Sequence, residues 1–250
     1  MSGILKDRAV ILRTWEYGET SLVVAVLTRG GGRSNFLAKG ARRPGSQLHG
    51  RFRTGNIGEI VYYDKPGGGL RLIKEFSSAS VLDSSNVGLE CLCLFQAGLE
   101  IAGRASAGDE QEGAVFDLAE AFMTELAAGA DPWSTFFVLE ARLLSASGLM
   151  PEIERCDRCK KELAGCGFSV NPSSGAVECR SCAGGGEMLS PESCELLGRL
   201  PAGFEGMRGT ALSQDARREI GTLLHRMLTH HMDGYRLPGS LGMLKGAVGG

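Results

Sequence analysis

Apolar and polar side chains alternate through the first 76 residues, the period-2 signature of strands buried on one face. Strands are predicted over residues 9–14 and 21–28; in the second, Leu22, Val24 and Val26 interleave with Val23, Ala25 and Leu27. Arg29-Gly30-Gly31-Gly32 supplies a hairpin tip, because glycine tolerates the positive φ of tight turns. A third strand is predicted over 33–39, a polar loop over 40–50, a fourth strand over 57–63, a tip at Pro66-Gly67-Gly68-Gly69 and a fifth strand over 70–76. Five short strands with Gly-rich tips suit a small closed barrel of the OB type.

Beyond about residue 77 the period changes to that of helices. Residues 89–102 are apolar nearly all round, as in a buried helix. Val115, Leu118, Ala119, Phe122 and Leu126 share one helical face. Asp131-Pro132 and Ser190-Pro191 are N-cap and first-turn pairs. The helix after Asp131 should stop at Gly148, with Leu149 placed for a C-cap contact and Pro151 beyond. Ser213 caps a last helix whose Ile220, Leu223, Leu224, Met227 and Leu228 align, and Gly234 ends it. The expected fold is a multidomain α+β chain. Its parts are a five-stranded OB-type barrel (1–78), a helical domain (79–154 and 187–238), a cysteine-bearing insert (155–186) and a flexible tail (239–250).

Composition adds that 43% of the 250 residues are hydrophobic and 22% charged, which fits a folded globular chain. No apolar run approaches the ~18 residues of a membrane helix, and the N-terminus brings in Lys6, Asp7 and Arg8 too early for a signal peptide. A cytoplasmic location is expected, where disulfides are rare. The net charge of −2 hides an asymmetry. Residues 1–80 carry 13 Lys+Arg against 6 Asp+Glu, and the remaining 170 carry 14 against 23. One end therefore suits a polyanion.

The cysteines give the sharpest chemical pattern. Cys156-x-x-Cys159 is followed, after nineteen intervening residues, by Cys179-x-x-Cys182. Two residues between cysteines let both sulfurs of a knuckle converge, and two knuckles complete the thiolate tetrahedron of structural Zn²⁺, one ion per chain. Phe168-Ser169-Val170 and Ala176-Val177-Glu178 read as short strands joined by Asn171-Pro172-Ser173-Ser174-Gly175, a zinc-ribbon plan. An insert with so little apolar bulk needs the metal to fold. A redox pair would sit near a βαβ pattern, which is missing, and a catalytic zinc would keep an open position. Cys166 lies outside both knuckles; Cys91, Cys93 and Cys194 fall in apolar helical pattern, as small packed hydrophobes do.

The second pattern is a run of cations. Arg33, Lys39, Arg42, Arg43, Arg51 and Arg53 fall within about twenty residues that contain no acid. Alternation puts Arg51 and Arg53 on one face of an extended segment. Such a cluster on a small barrel suits phosphate backbones, with steep salt dependence. Tyr62 and Tyr63 are adjacent on a strand, so one points in and one out; Phe36 and Phe52 suit the core, and Trp15 and Tyr17, at a strand end, suit either role. Enzyme motifs are absent: the sequence contains no GK[ST], G-x-S-x-G, HExxH or zinc-deaminase signature. The expectation is a protein that is not an enzyme and has no small-molecule substrate.

Three stretches together resemble the bacterial recombination-mediator family RecO. They are Ala9-Val10-Ile11-Leu12-Arg13 with Tyr17-Gly18-Glu19; the run Ala38-Lys39-Gly40-Ala41-Arg42-Arg43-Pro44; and Gly148-Leu149-Met150-Pro151 leading into the two cysteine pairs. The resemblance spans about residues 4–235. It implies an N-terminal OB barrel, a helical domain and a four-cysteine zinc module. It also implies DNA repair and recombination: binding of single- and double-stranded DNA, strand annealing, and loading of recombinase onto strands coated by single-strand-binding protein, with RecR and the tail of single-strand-binding protein as partners. The family's DNA-contacting positions fall on Lys39, Arg42 and Arg43; Arg33, Arg51 and Arg53 extend them by proximity. Arg142 is a candidate contact for the tail, and a nucleoid-associated cytoplasmic location follows. The rival reading is a zinc-ribbon RNA-binding or ribosome-associated factor.

Overall fold

In the computed structural model residues 3–64, 69–82, 87–106, 112–184 and 186–244 are described. Five strands open the chain: β1 (Ile4–Tyr17), β2 (Ser21–Thr28), β3 (Gly32–Ala38), β4 (Asn56–Tyr63) and β5 (Arg71–Ser80). They close in the order β1-β2-β3-β5-β4, with β4 returning to β1. Every pairing is antiparallel except β3 with β5, where Phe36 meets Arg71 and Leu37 meets Leu72. The OB-type barrel read from the sequence is therefore present, with β1 longer at both ends than its alternation showed. The expected tip at residues 66–68 lies outside the described residues.

Alternation sorts the side chains by face. Ala9, Ile11, Val24, Val26, Phe36, Ala38, Ile60, Tyr62, Ile73 and Phe76 fill the barrel. A bulge between Ile11 and Arg13 resets the register of β1. Gly58 is fixed by close approach: a Cβ there would stand 1.9 Å from the Ser77 carbonyl oxygen on β5.

Helices α1 (Leu89–Ala105) and α2 (Glu112–Ala127) follow. The chain divides into two compact units, residues 1–88 with 98–127, and residues 89–97 with 128–250. The later turns of α1 and all of α2 thus belong with the barrel. Val10, Leu12, Ala25 and Leu27, turned away from the barrel core, are buried. Helix α2 lies against β2 and β3, and Gly103 of α1 lies against Leu12. Ion pairs fix the layer: Arg29 grips Asp117 through two bonds of 2.7 and 2.9 Å, and Arg8 pairs with Glu120. The Arg29 bond holds the Asp117 carboxyl below its ordinary range.

The second unit centres on α3 (Pro132–Ala146), buried on most of its faces. Asp131 caps it by accepting from the Ser134 N–H at 2.8 Å. It stops as its sequence indicates, with Gly148 at φ +69° and the Leu149 N–H donating to the Leu144 carbonyl at 2.9 Å. Strands β6 (Phe168–Val170) and β7 (Val177–Cys179) form the ribbon. Then come α4 (Pro191–Arg199), the short α5 (Phe204–Met207) and α6 (Gln214–His231), with Ser190 and Ser213 as caps. Residues 239–243, expected to be loose, form a 3-10 turn with Leu241 buried, and the Ser240 hydroxyl donates to the Cys93 carbonyl at 2.9 Å.

Glu140 is the buried acid of α3, 2% exposed, and its Oε2 has no hydrogen-bond partner. Burial pushes its carboxyl well above the ordinary range. The folded chain therefore keeps this proton where the unfolded chain has lost it, so folding loses stability as pH rises past about 4. Glu140→Gln should be more stable than the parent at pH 7–8, and the gap should close below about pH 4. Urea titrations across that range measure it; a constant gap would show that Glu140 does not titrate with folding.

Candidate nucleic-acid interface and metal centre

The six cations singled out in the sequence are all exposed, and for Arg42, Arg43, Arg51 and Arg53 the 40–55 loop explains why. This loop does not hang free from the barrel. Its Ala41, Leu48 and Phe52 join the barrel core, and the Phe52 ring stacks on Phe76 at 5.4 Å between centroids. Backbone bonds fix the ends: Arg42 N–H to the Thr20 carbonyl at 2.9 Å, and Gly55 N–H to the Ile11 carbonyl at 2.8 Å. With Ala41 and Phe52 turned inward, their neighbours Arg42, Arg51 and Arg53 turn outward.

The cations are not equivalent. Arg42 pairs with Glu16 at 3.0 Å, an exposed bridge worth at most about 1 kcal/mol and open to competition from phosphate. Arg51 is partly committed to structure: its Nε donates to the Gln47 carbonyl at 2.6 Å and a terminal nitrogen to the Phe76 carbonyl at 3.3 Å. Arg33, opposite Leu27, lies on the outward register of β3, and Lys39 follows the other end of that strand, six residues or roughly 20 Å away. Arg33 therefore stands near the opposite end of the barrel from the loop. The sequence cluster is compact in number, but the structure concentrates only Lys39 through Arg53 at one mouth.

The aromatics sort cleanly. Phe36, Phe52 and Tyr62 are core, Phe36 meeting Tyr62 edge-on at 5.0 Å, while Tyr63 is half-buried. Trp15 and Tyr17, ambiguous in sequence, are exposed. Arg13, which the cation count passed over because it precedes the cluster, lies 5.3 Å from the Trp15 ring centre. Arg142 is exposed on α3, but its guanidinium already donates to the Pro201 carbonyl at 3.1 Å.

In the ribbon, the sulfurs of Cys156, Cys159, Cys179 and Cys182 all lie within 4.8 Å of one another. Thiolates ~2.3 Å from a central ion stand about 3.8 Å apart in a tetrahedron; Cys159 and Cys179 are separated by 3.7 Å. The knuckles are cross-tied. Asp157 donates its N–H to the Val177 carbonyl and accepts from the Val177 N–H, each at 2.7 Å, and Arg158 donates to the Cys182 carbonyl at 3.1 Å. Lys160 takes φ +60° to turn the chain after the first knuckle.

In the thiol form Cys156 and Cys182 hold their protons unequally. Backbone N–H groups of Cys159 and Cys179 pull Cys156 down to about 6, while bonding with Cys179 and burial push Cys182 up to about 12. A cation would take the place of those protons, so the donor set fits a thiolate-bound metal. Cys166 stands outside the cluster; Cys91, Cys93 and Cys194 are buried, and burial raises the Cys194 thiol to about 11, as for inert packed sulfur.

Comparison with known proteins joins the two units. Residues 1–81 match the family model "Recombination protein O N terminal", and residues 89–240 match "Recombination protein O C terminal". Among relatives, the chain is 27% identical over 246 residues to "DNA repair protein RecO" of Chlorobium luteolum, covering 92% of this chain and 93% of that one. It is 30% identical over 240 residues to the protein of that name from Nocardioides sp., covering 92% and 95%. With that from Bacillus pumilus the identity is 26% over 239 residues, covering 93% and 89%. Barrel, helical unit and cysteine module thus lie within one family pattern, and the chain belongs to the RecO family.

Proposed function

We propose that this RecO-family chain is a DNA repair protein that acts as a recombination mediator and is not an enzyme. It binds single- and double-stranded DNA at the loop-bearing mouth of the barrel and anneals complementary strands. It helps load recombinase onto single-stranded DNA coated by single-strand-binding protein. The observation that carries this reading is the anchored basic loop. Lys39, Arg42, Arg43 and Arg53 stand exposed on a segment whose inward residues are locked into the barrel core. Ordered cations lose less freedom on binding phosphate than cations on a slack chain. Arg51 and Arg33 contribute at the margins. The helical unit meets RecR and the tail of single-strand-binding protein. No helix among the described residues is long and apolar enough to cross a membrane, and the chain works in the cytoplasm beside the nucleoid.

One structural Zn²⁺ per chain completes the reading. Cys156, Cys159, Cys179 and Cys182 would hold it, leaving no open coordination position and therefore no catalytic role. Its service is to lock two knuckles in a module whose ribbon strands are three residues each.

Three outcomes test the proposal. Arg42→Ala with Arg43→Ala should stay folded and bind DNA more weakly; two lost phosphate contacts should flatten the log–log salt slope for single strands by about 1.4. Unchanged binding by the folded variant would remove the DNA assignment. Elemental analysis should find one zinc per chain, and Cys159→Ser should lose it; a metal-free, fully folded parent would remove the ion. Complementary strands coated with single-strand-binding protein should anneal faster with the chain present, and an unaltered rate would refute the mediator role.

A further inference from the structure

The outside of the barrel carries a second feature that neither cations nor metal account for. Registers across the closed sheet place Trp15 opposite Val23, Val23 opposite Leu37, Leu37 opposite Leu72, and Leu72 opposite Tyr63. These five residues come from five successive strands in hydrogen-bonded order, so they form one row around the barrel. None of them joins the barrel core, and none is buried. Trp15 is 38% exposed, and Tyr17, two residues along the same face of β1, is 55% exposed. Farther along the sheet, the outward residues Leu12, Ala25 and Leu27 are buried beneath the α1–α2 layer. The helices therefore cover one part of the outer surface, while this apolar row is only half-buried and becomes exposed at its Trp15–Tyr17 end.

Its charged surroundings select the occupant. The outward positions of β1 from Arg13 to Tyr17, and those of β2 and β3, include Arg13, Arg33, Asn35 and Ser21 but no acid. Lys39 follows at the end of β3. Glu16 lies opposite Leu22, on the inward register, and is engaged with Arg42; Glu19 sits in the β1–β2 turn. The Arg42 N–H and the Gly40 N–H bond to Thr20 and to the Ser21 hydroxyl, so the basic loop is tied to the same end of β1 and β2 that carries Tyr17. Flat apolar side chains beside a line of cations match a chain that has phosphates on one edge and π-faces on the other. Paired bases in a duplex hide those faces; unpaired bases offer them.

We infer that the Trp15–Tyr17 end of this row is a stacking platform for the bases of a single strand whose phosphates lie along Lys39, Arg42 and Arg43. This rests on the DNA-binding reading above and narrows it: the loop holds either form of DNA, and the platform selects unpaired nucleotides. A strand seated this way turns its bases toward the protein. The platform therefore favours capture of one strand, and release comes as its bases find a complement.

The test measures binding of an oligothymidylate, of an abasic oligomer of equal length and of a duplex, over a range of salt. Trp15→Ala and Tyr17→Ala should each weaken oligothymidylate binding by at least about fivefold. Duplex and abasic binding should stay within about twofold, with the salt slope unchanged. Trp15→Phe should restore most of the loss, since a ring remains. Tryptophan emission gives an independent readout: the chain has two tryptophans, and Trp133 is buried in the second unit, so oligothymidylate should quench Trp15 where the abasic oligomer does not. If folded Trp15→Ala and Tyr17→Ala chains bind every ligand as the parent does, or if emission does not distinguish the two oligomers, the platform is refuted while salt-dependent DNA binding stands. If the parent binds none of the three, the DNA reading itself fails, and the platform with it.

Discussion

The basic side of this protein depends on one piece of packing, the seating of the 40–55 loop in the mouth of the barrel. A five-stranded barrel encloses a narrow core that its own strands leave open at the ends. Here Ala41, Leu48 and Phe52 close one end, and Phe52 stacks on Phe76 of β5. The hydrophobic effect that buries these residues also aims the residues between them. Arg42, Arg51 and Arg53 point to water because their neighbours cannot. A charge cluster that would otherwise be a solvated loop becomes a fixed surface, continuous through Thr20 and Ser21 with the exposed aromatics of β1.

The same packing changes the meaning of the charge asymmetry. Counted by sequence, the first 80 residues are strongly basic. The compact unit to which they belong also includes residues 98–127, with seven acids and one base. That excess cancels the net charge of the unit but not its arrangement. Asp117 and Glu120 neutralise Arg29 and Arg8, while among the described residues the loop cation Arg42 pairs instead with Glu16 of β1. A nearly neutral body with cations gathered at one mouth orients an approaching polyanion rather than attracting it indiscriminately.

Much of this was legible in the sequence, and the parts that were not share a cause. Alternation marked all five strands, and Asp131, Ser190 and Ser213 marked helix starts, because period and capping are local. The cysteine cluster was legible because C-x-x-C spacing fixes sulfur convergence within a single turn. Long-range facts were hidden. Nothing local in Ala41 or Phe52 says that the loop plugs the barrel. The engagement of Arg51 with the Gln47 and Phe76 carbonyls, and of Arg142 with that of Pro201, depends on folded neighbours. Trp15 and Tyr17 could not be assigned because their exposure is decided by where α1 and α2 stop covering the sheet. The tail from residue 239 reads as flexible in the sequence, yet its Leu241 is buried.

That covering layer also has a consequence in time. The barrel strands are all synthesised by residue 80, but the helices that cover Leu12, Ala25 and Leu27 are complete only at residue 127. At about 5–20 residues per second, a ribosome takes roughly 2–10 s to make the intervening stretch. Until that stretch is made, these outward apolar side chains have no helix layer to pack beneath. The Arg8–Glu120 and Arg29–Asp117 pairs tie α2, the last-made helix of this unit, to β1 and to the β2–β3 tip.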